Sequence, residues 1–251
     1  MKKLPVLTAV ILLLLLTAGC RKQNSNIAII GGADGPTSIF ITSPKMTQPV
    51  KNLIIPRIVS TSDQDQDGLS DTEDILEGAR KDAENKPRYK DGYYSGGYPP
   101  DDEGVCTDVI WRAFKNAGYN LKDMIDEDIA NHLDLYYRVE GKPDPNIDFR
   151  RIKNLRVFFD RHAESLTTEI IPGDETNLVQ WQAGDIVVFD DPVEHIGILS
   201  DIRNQDGIPL MIHNCGPYTQ ENDMLLYWRD NLSPIIGHYR FPKDNDNSEQ
   251  E

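Results

Sequence analysis

A loop rich in proline, glycine and acid, GYPPDDEG at residues 97–104, runs directly into an apolar-periodic stretch that opens on Val105 and Cys106. Val109, Ile110, Ala113, Phe114 and Ala117 fall on one helical face, and Gly118 supplies the stop. That pattern fixes a helix over 105–117 and requires something apolar for it to pack against. Helical patterns also cover Thr72 to about Asn85, Leu121–Tyr137 and Ile152–Phe159, with a loop at Pro143–Asp148. The β-prone runs all lie further on, at Asp185–Phe189, His195–Ile202, Pro209–Asn214 and Ile235–Phe241. Helices followed by strands make an α+β fold, with the helix that starts near Cys106 packed on an antiparallel sheet.

The chain has three cysteines. A thiol at a helix N-terminus meets unpaired N–H groups and the positive end of the helix dipole, and both favour the thiolate. Cys106 alone has that setting, which makes it the candidate nucleophile. Cys215 follows a strand and precedes a Gly-Pro-Tyr turn, so a Cys106–Cys215 disulfide is the competing expectation.

A cysteine nucleophile needs a base, and the base needs an orienting partner. Of five histidines, His132 and His162 lie in polar helical surroundings, and His238 on the last strand reads as structural. His195 and His213 lie on successive β-prone segments joined by the turn Asn204-Gln205-Asp206-Gly207. A turn centred near Gln205 pairs residues whose numbers sum to about 410, which sets His213 opposite Gly197, diagonal to His195, and Cys215 opposite His195. Both histidines are odd-numbered, so any even pairing sum puts them on one face. Zinc at His195, His213 and Cys215 lacks a supporting HExxH or paired CxxC, and a serine triad lacks its G-x-S-x-G turn.

Residues 1–20 have the layout of a signal peptide: Lys2 and Lys3, an apolar run from Leu7 to Leu16, then small residues before Cys20. The ending TAGC resembles the bacterial lipoprotein signal, which implies lipidation at Cys20, a membrane anchor and an extracytoplasmic chain. Residues 21–62 read as a tether with a hairpin-like insert at Asn26–Thr42. That insert resembles a glycine-rich segment of sodium-pumping decarboxylase beta subunits over fewer than 20 residues, and no function is carried across. A formal net charge of -15 argues against nucleic acid as a partner. Residues 63–85 open on DQDQDGLSDTED, where Asp63, Asp65, Asp67, Leu69, Asp71 and Asp74 take the ligand positions of an EF-hand-like loop, making calcium a possible cofactor. The same run also reads as a solvated linker, or as a capping box of Ser70 and Glu73. Residues 86–242 form the functional domain, and 243–251 a solvated acidic tail.

The pieces GYPPDDEGVCTDVIWRAF, PDPNIDFRRIKNL, WQAGDIVVF, HIGILSD, IHN and GHYR resemble the domain-of-unknown-function 1287 family, over Tyr93 to Phe241. The order of cysteine helix, GDIV strand, HIGI strand and IHN strand is similar to NlpC-type cysteine peptidases. That resemblance implies a papain-like fold, with Cys106 as nucleophile, His195 as base, His213 as its orienter and the Cys106 N–H as an oxyanion donor. The oxyanion tyrosine of that group has serine in its place in YYSGG, so Tyr94 or Tyr98 would have to substitute. Asp108, two residues past the cysteine, reads as a helix cap. Arg150 and Arg151 suit the carboxylates of a substrate, or else a fold-stabilising ion pair. The implied function is a lipid-anchored cysteine hydrolase acting on a peptidoglycan stem peptide or other peptide without a required cofactor. The alternative is a non-catalytic surface lipoprotein that binds wall peptide or a protein partner.

Overall fold

The computed structural model describes residues 53–243 and the backbone of two strands further upstream, β1 (Ile27–Ile30) and β2 (Ser38–Ile41). These pair antiparallel with Ile27 opposite Ile41, as the turn-flanked pattern predicts. The signal segment, Cys20, most of the tether and the tail from 244 lie outside the described residues. Among the described residues, no helix is long and apolar enough to cross a membrane.

The body is mixed α and β. Helix α1 (Asp71–Asn85) is followed by two short strands, β3 (Arg88–Tyr89) and β4 (Glu103–Gly104), which pair parallel across the 90–102 loop. Helices α2 (Cys106–Asn116), α3 (Leu121–Asn131) and α4 (Ile152–His162) come next. The rest is β5 (Glu164–Ser165), α5 (Glu175–Leu178), β6 (Ile186–Phe189), β7 (His195–Arg203), β8 (Pro209–His213), β9 (Gln220–Asn222), α6 (Leu225–Asn231) and β10 (Ile235–Arg240). The main sheet is antiparallel in the order β5-β10-β6-β7-β8-β9.

Strand alternation divides the core. Ile186, Val188, Ile196, Ile198 and Ile212 face α1, α2 and α4 on one side of the sheet. Val187, Phe189, Leu199 and Met211 face Trp181, Leu225 and Trp228 on the other. α1 is part of this body. It lies so close to α2 that a Cβ on Gly78 would sit 2.6 Å from Asn116 Cβ, and Arg80 reaches Ser200 and Glu221 on the sheet.

The predicted helix over 121–137 ends instead at Asn131 and continues as single 3-10 turns at Leu133–Leu135 and Tyr137–Val139. Buried Tyr136 donates its hydroxyl to Asp128, which also holds Arg161 at 2.9 Å. In a continuous helix, residues eight apart lie roughly 12 Å apart along the axis, so the chain has to fold back to make this bond.

The N-terminus of α2 is set by one carboxylate. Asp108 is fully buried and accepts from Val105 N–H at 2.8 Å, Trp111 Nε1 at 2.8 Å, and Arg150 Nε and Nη2 at 2.7 and 2.9 Å. The helix-capping role read from sequence is what Asp108 does. Replacing Asp108 by alanine leaves the Arg150 charge buried and unpaired, which costs on the order of 3–5 kcal/mol. Urea unfolding of Asp108→Ala checks this, and a loss below about 1 kcal/mol contradicts it.

Candidate active site

A cleft of ≈ 550 Å³ opens where the start of α2 meets the start of β7, with Cys106, Thr107, His195, Cys215 and Trp228 in its wall. The loop that delivers Cys106 is held from two sides. Arg112 Nη2 donates to the Glu103 carbonyl at 2.7 Å and its Nη1 pairs with Asp82 at 2.9 Å. Asn214 Nδ2, just past β8, donates to the carbonyls of Pro87 at 3.1 Å and Gly104 at 3.3 Å. Cys106 takes the first helical position, so its N–H has no intrahelical acceptor.

The hairpin register follows the expected sum: Ile198 pairs with Ile212, and Leu199 with Met211. His195 and His213 therefore share a face, and His195 Nε2 lies 2.7 Å from His213 Nδ1. His213 Nε2 lies 3.0 Å from Asn222 Oδ1 on β9. An amide oxygen only accepts, so His213 carries its proton on Nε2 and accepts at Nδ1. His195 then donates from Nε2, which leaves its Nδ1 with a free lone pair. The His195 ring lies flat against Trp228, with centroids 4.0 Å apart and planes 9° apart. Ring plane and tautomer are thus both fixed by neighbours. Asn222 was missed from sequence, because its three-residue strand QEN is polar throughout and carries no alternation.

Electrostatics correct one expectation. The helix N-terminus was expected to favour a Cys106 thiolate. Burial instead pushes the thiol up to about 12, and the Asp108 charge adds to this, against opposing hydrogen bonds from the Ile196 and Thr107 backbone. Burial holds His195 well below the usual histidine range, helped by His213, and burial lowers His213 to about 4. Cys106 and Cys215 are both buried, and no disulfide joins them.

The other sequence-derived candidates divide. Arg150 is a structural ion pair: its side chain is 1% exposed, it is bound to Asp108, and its Nη1 donates to Gly92 O at 2.7 Å. Arg151 lines the cleft, 29% exposed, with Nη1 bonded to the Arg138 carbonyl at 3.1 Å. Tyr94 stacks over Arg150 and donates to Glu103 at 3.1 Å, and Tyr98 packs on Trp111 and Phe149. Neither tyrosine is brought into the cleft wall, where Tyr89 is found instead. His238 is structural, between Thr167 O at 2.8 Å and Asp185 at 3.0 Å. His132 and His162 are half-exposed beside Asp128. In the acidic loop, Asp63, Asp65 and Asp67 gather within 4.8 Å of one another. Asp71 does not join them as a ligand, because its two oxygens accept from Gln64 N–H at 2.8 Å and Tyr119 Oη at 2.7 Å. Glu73 accepts from Ser70 N–H at 3.1 Å, as the capping box expects.

The histidine pair makes stability depend on pH. His213 has its folded value lowered from 6.5 to about 4, so in that window the unfolded chain binds a proton that the folded chain does not. The contribution is present above 6.5 and lost as the pH falls towards 4. Between pH 7 and 4.5, His213→Gln should lose less stability than the native chain by on the order of 2 kcal/mol in urea unfolding. Identical losses would contradict a neutral buried pair.

Residues 76–241 match the family described as Domain of unknown function (DUF1287). The chain is also 38% identical over 176 residues to the uncharacterized protein YijF of Escherichia coli strain K12, covering 66% of this chain and 80% of that one. No solved structure matches. A buried cysteine at a helix start and a histidine pair on a hairpin therefore lie within the matched region, and the chain belongs to the DUF1287 family.

Proposed function

We propose that the chain is a cysteine hydrolase of papain-like, NlpC type, acting on an amide bond in a peptidoglycan stem peptide and held outside the cytoplasm by a lipid at Cys20. The observation that carries this reading is the oriented relay from Asn222 through His213 to His195, the last of which lines one cleft with Cys106. The resemblance of the HIGILSD and IHN strands to NlpC-type enzymes, and the lipoprotein-like N-terminus, support the substrate and the compartment.

With the thiol neutral at rest, deprotonation accompanies attack. The Cys106 sulfur bonds to the carbonyl carbon as its proton passes to His195 Nδ1. The Cys106 N–H stabilises the oxyanion. Collapse breaks the C–N bond, and His195 returns the proton to the leaving amine, giving a thioester. Water then attacks the thioester, His195 takes its proton, and the thiol is restored as the acid departs. Arg151 at the cleft rim suits a substrate carboxylate.

Incubation of the full-length chain with purified peptidoglycan, followed by mass spectrometry of released fragments, should show new amine and carboxyl ends. Cys106→Ala should abolish them, His195→Ala should slow release by roughly 10²–10⁴-fold, and Arg151→Met should raise KM more than it lowers kcat. Equal products from native chain and Cys106→Ala, or none from the native chain, would overturn the hydrolase reading in favour of a wall-peptide binder.

A further inference from the structure

The relay leaves unused a second cluster of ionisable groups, at the point where the chain enters the body. Asp63, Asp65 and Asp67 bring carboxylate oxygens within 4.8 Å of one another. Backbone amides of Asp67, Gly68 and Leu69 fold the loop around these side chains at 2.9–3.3 Å. Acidic clusters on a surface are common, and this geometry alone would point to nothing.

Asp74 supplies a separate observation. It is 2% exposed, on the first turn of α1, and its Oδ2 is buried with no hydrogen-bond partner. An unpaired buried carboxylate oxygen is expensive to keep unless something compensates it. Gln64, between Asp63 and Asp65, donates its N–H to Asp71 at 2.8 Å, and Asp71 precedes Asp74 by three residues on the same face of α1, so the acidic loop lies beside the orphaned group. Among the described residues, no lysine or arginine forms an ion pair with Asp63, Asp65, Asp67 or Asp74. The nearby Arg57 is engaged by Glu73 at 2.8 Å, and Lys81 by Glu77 at 3.0 Å. Among the described residues, the four carboxylates therefore have no ion-paired cation to offset them.

We propose that this loop is a calcium site in which Asp63, Asp65, Asp67 and the buried Asp74 supply carboxylate oxygens and Leu69 its main-chain carbonyl. Hard oxygen donors in a flexible loop suit calcium, while magnesium demands tighter octahedral order and gives up its water reluctantly. These residues occupy positions one, three, five, seven and twelve of a twelve-residue loop. The ninth position, Asp71, is committed to Gln64 and Tyr119 and is left out.

The site would act as a staple. Asp65 lies on Gly118, where an added Cβ would come within 2.9 Å of Asp65 Cβ, and Gly118 follows the helix that Cys106 begins. Asp74 lies on α1, whose other turns pack on that same helix. A bound cation would tie the entering segment, α1 and the far end of α2 together without touching the cleft.

The test is calorimetry of the full-length chain in EDTA, in millimolar calcium chloride, and in magnesium chloride at matched ionic strength. Calcium should raise Tm by roughly 2–8 °C above the magnesium control, with one ion bound per chain by titration. Asp65→Asn and Asp67→Asn, both at exposed positions, should remove that rise while leaving Tm in EDTA unchanged or higher. Asp74→Asn should raise Tm in EDTA, because it removes an uncompensated buried charge, and should also cancel the calcium effect. A calcium rise no larger than that of magnesium, or one that survives in Asp65→Asn and Asp67→Asn, would overturn the proposal.

Discussion

The arrangement depends on the buried carboxylate of Asp108. Its oxygens take four donors at once: the amide that leads into α2, an indole, and two nitrogens of Arg150. A fully buried charge survives only when paired and saturated in this way, and removing one partner is far costlier than the pair is stabilising. The carboxylate therefore fixes three things together: where α2 starts, where the 148–151 segment lies and how the 90–104 loop closes over both. Cys106 is two residues from this anchor, and its position in the cleft is a by-product of satisfying Asp108.

The opposite wall follows the same logic with neutral groups. Here a chain of single hydrogen bonds, Asn222 to His213 to His195, sets the tautomers without any carboxylate. Burial keeps both imidazoles neutral, and Trp228 holds the first ring flat. On the proposed reading, a base of low pKa and a thiol of high pKa share one cleft without forming a resting ion pair. In the proposed mechanism, proton transfer accompanies attack on the substrate rather than preceding it. That separates this site from one in which the helix dipole alone keeps a thiolate ready.

Much of this was legible in the sequence because the signals were local. The start of α2 follows from a loop that stops at an apolar stripe. The shared face of His195 and His213 follows from a turn at Asn204–Gly207 and an even pairing sum. What was not legible depends on tertiary placement. Nothing local distinguishes Arg150, buried in its pair with Asp108, from its neighbour Arg151, whose pair with Asp148 leaves it 29% exposed at the cleft. Tyr94 and Tyr98 sit in a suggestive motif, yet the fold turns them onto Arg150 and Trp111. The helix over 121–137 breaks because Tyr136 reaches back to Asp128, a contact invisible to periodicity. The Cys106 thiol was read from its helix position, while its burial was decided by the rest of the molecule.

The central claim is that His195 acts as the base for Cys106, and alkylation of the thiol reports on that most directly. Iodoacetamide is small enough for the cleft, and peptide mapping assigns the modified cysteine. The account predicts that Cys106 in the native chain is labelled near neutral pH in preference to Cys215, and at least tenfold faster than in His195→Ala. Equal labelling rates in the two chains, or a Cys106 recovered in a disulfide with Cys215, would contradict it.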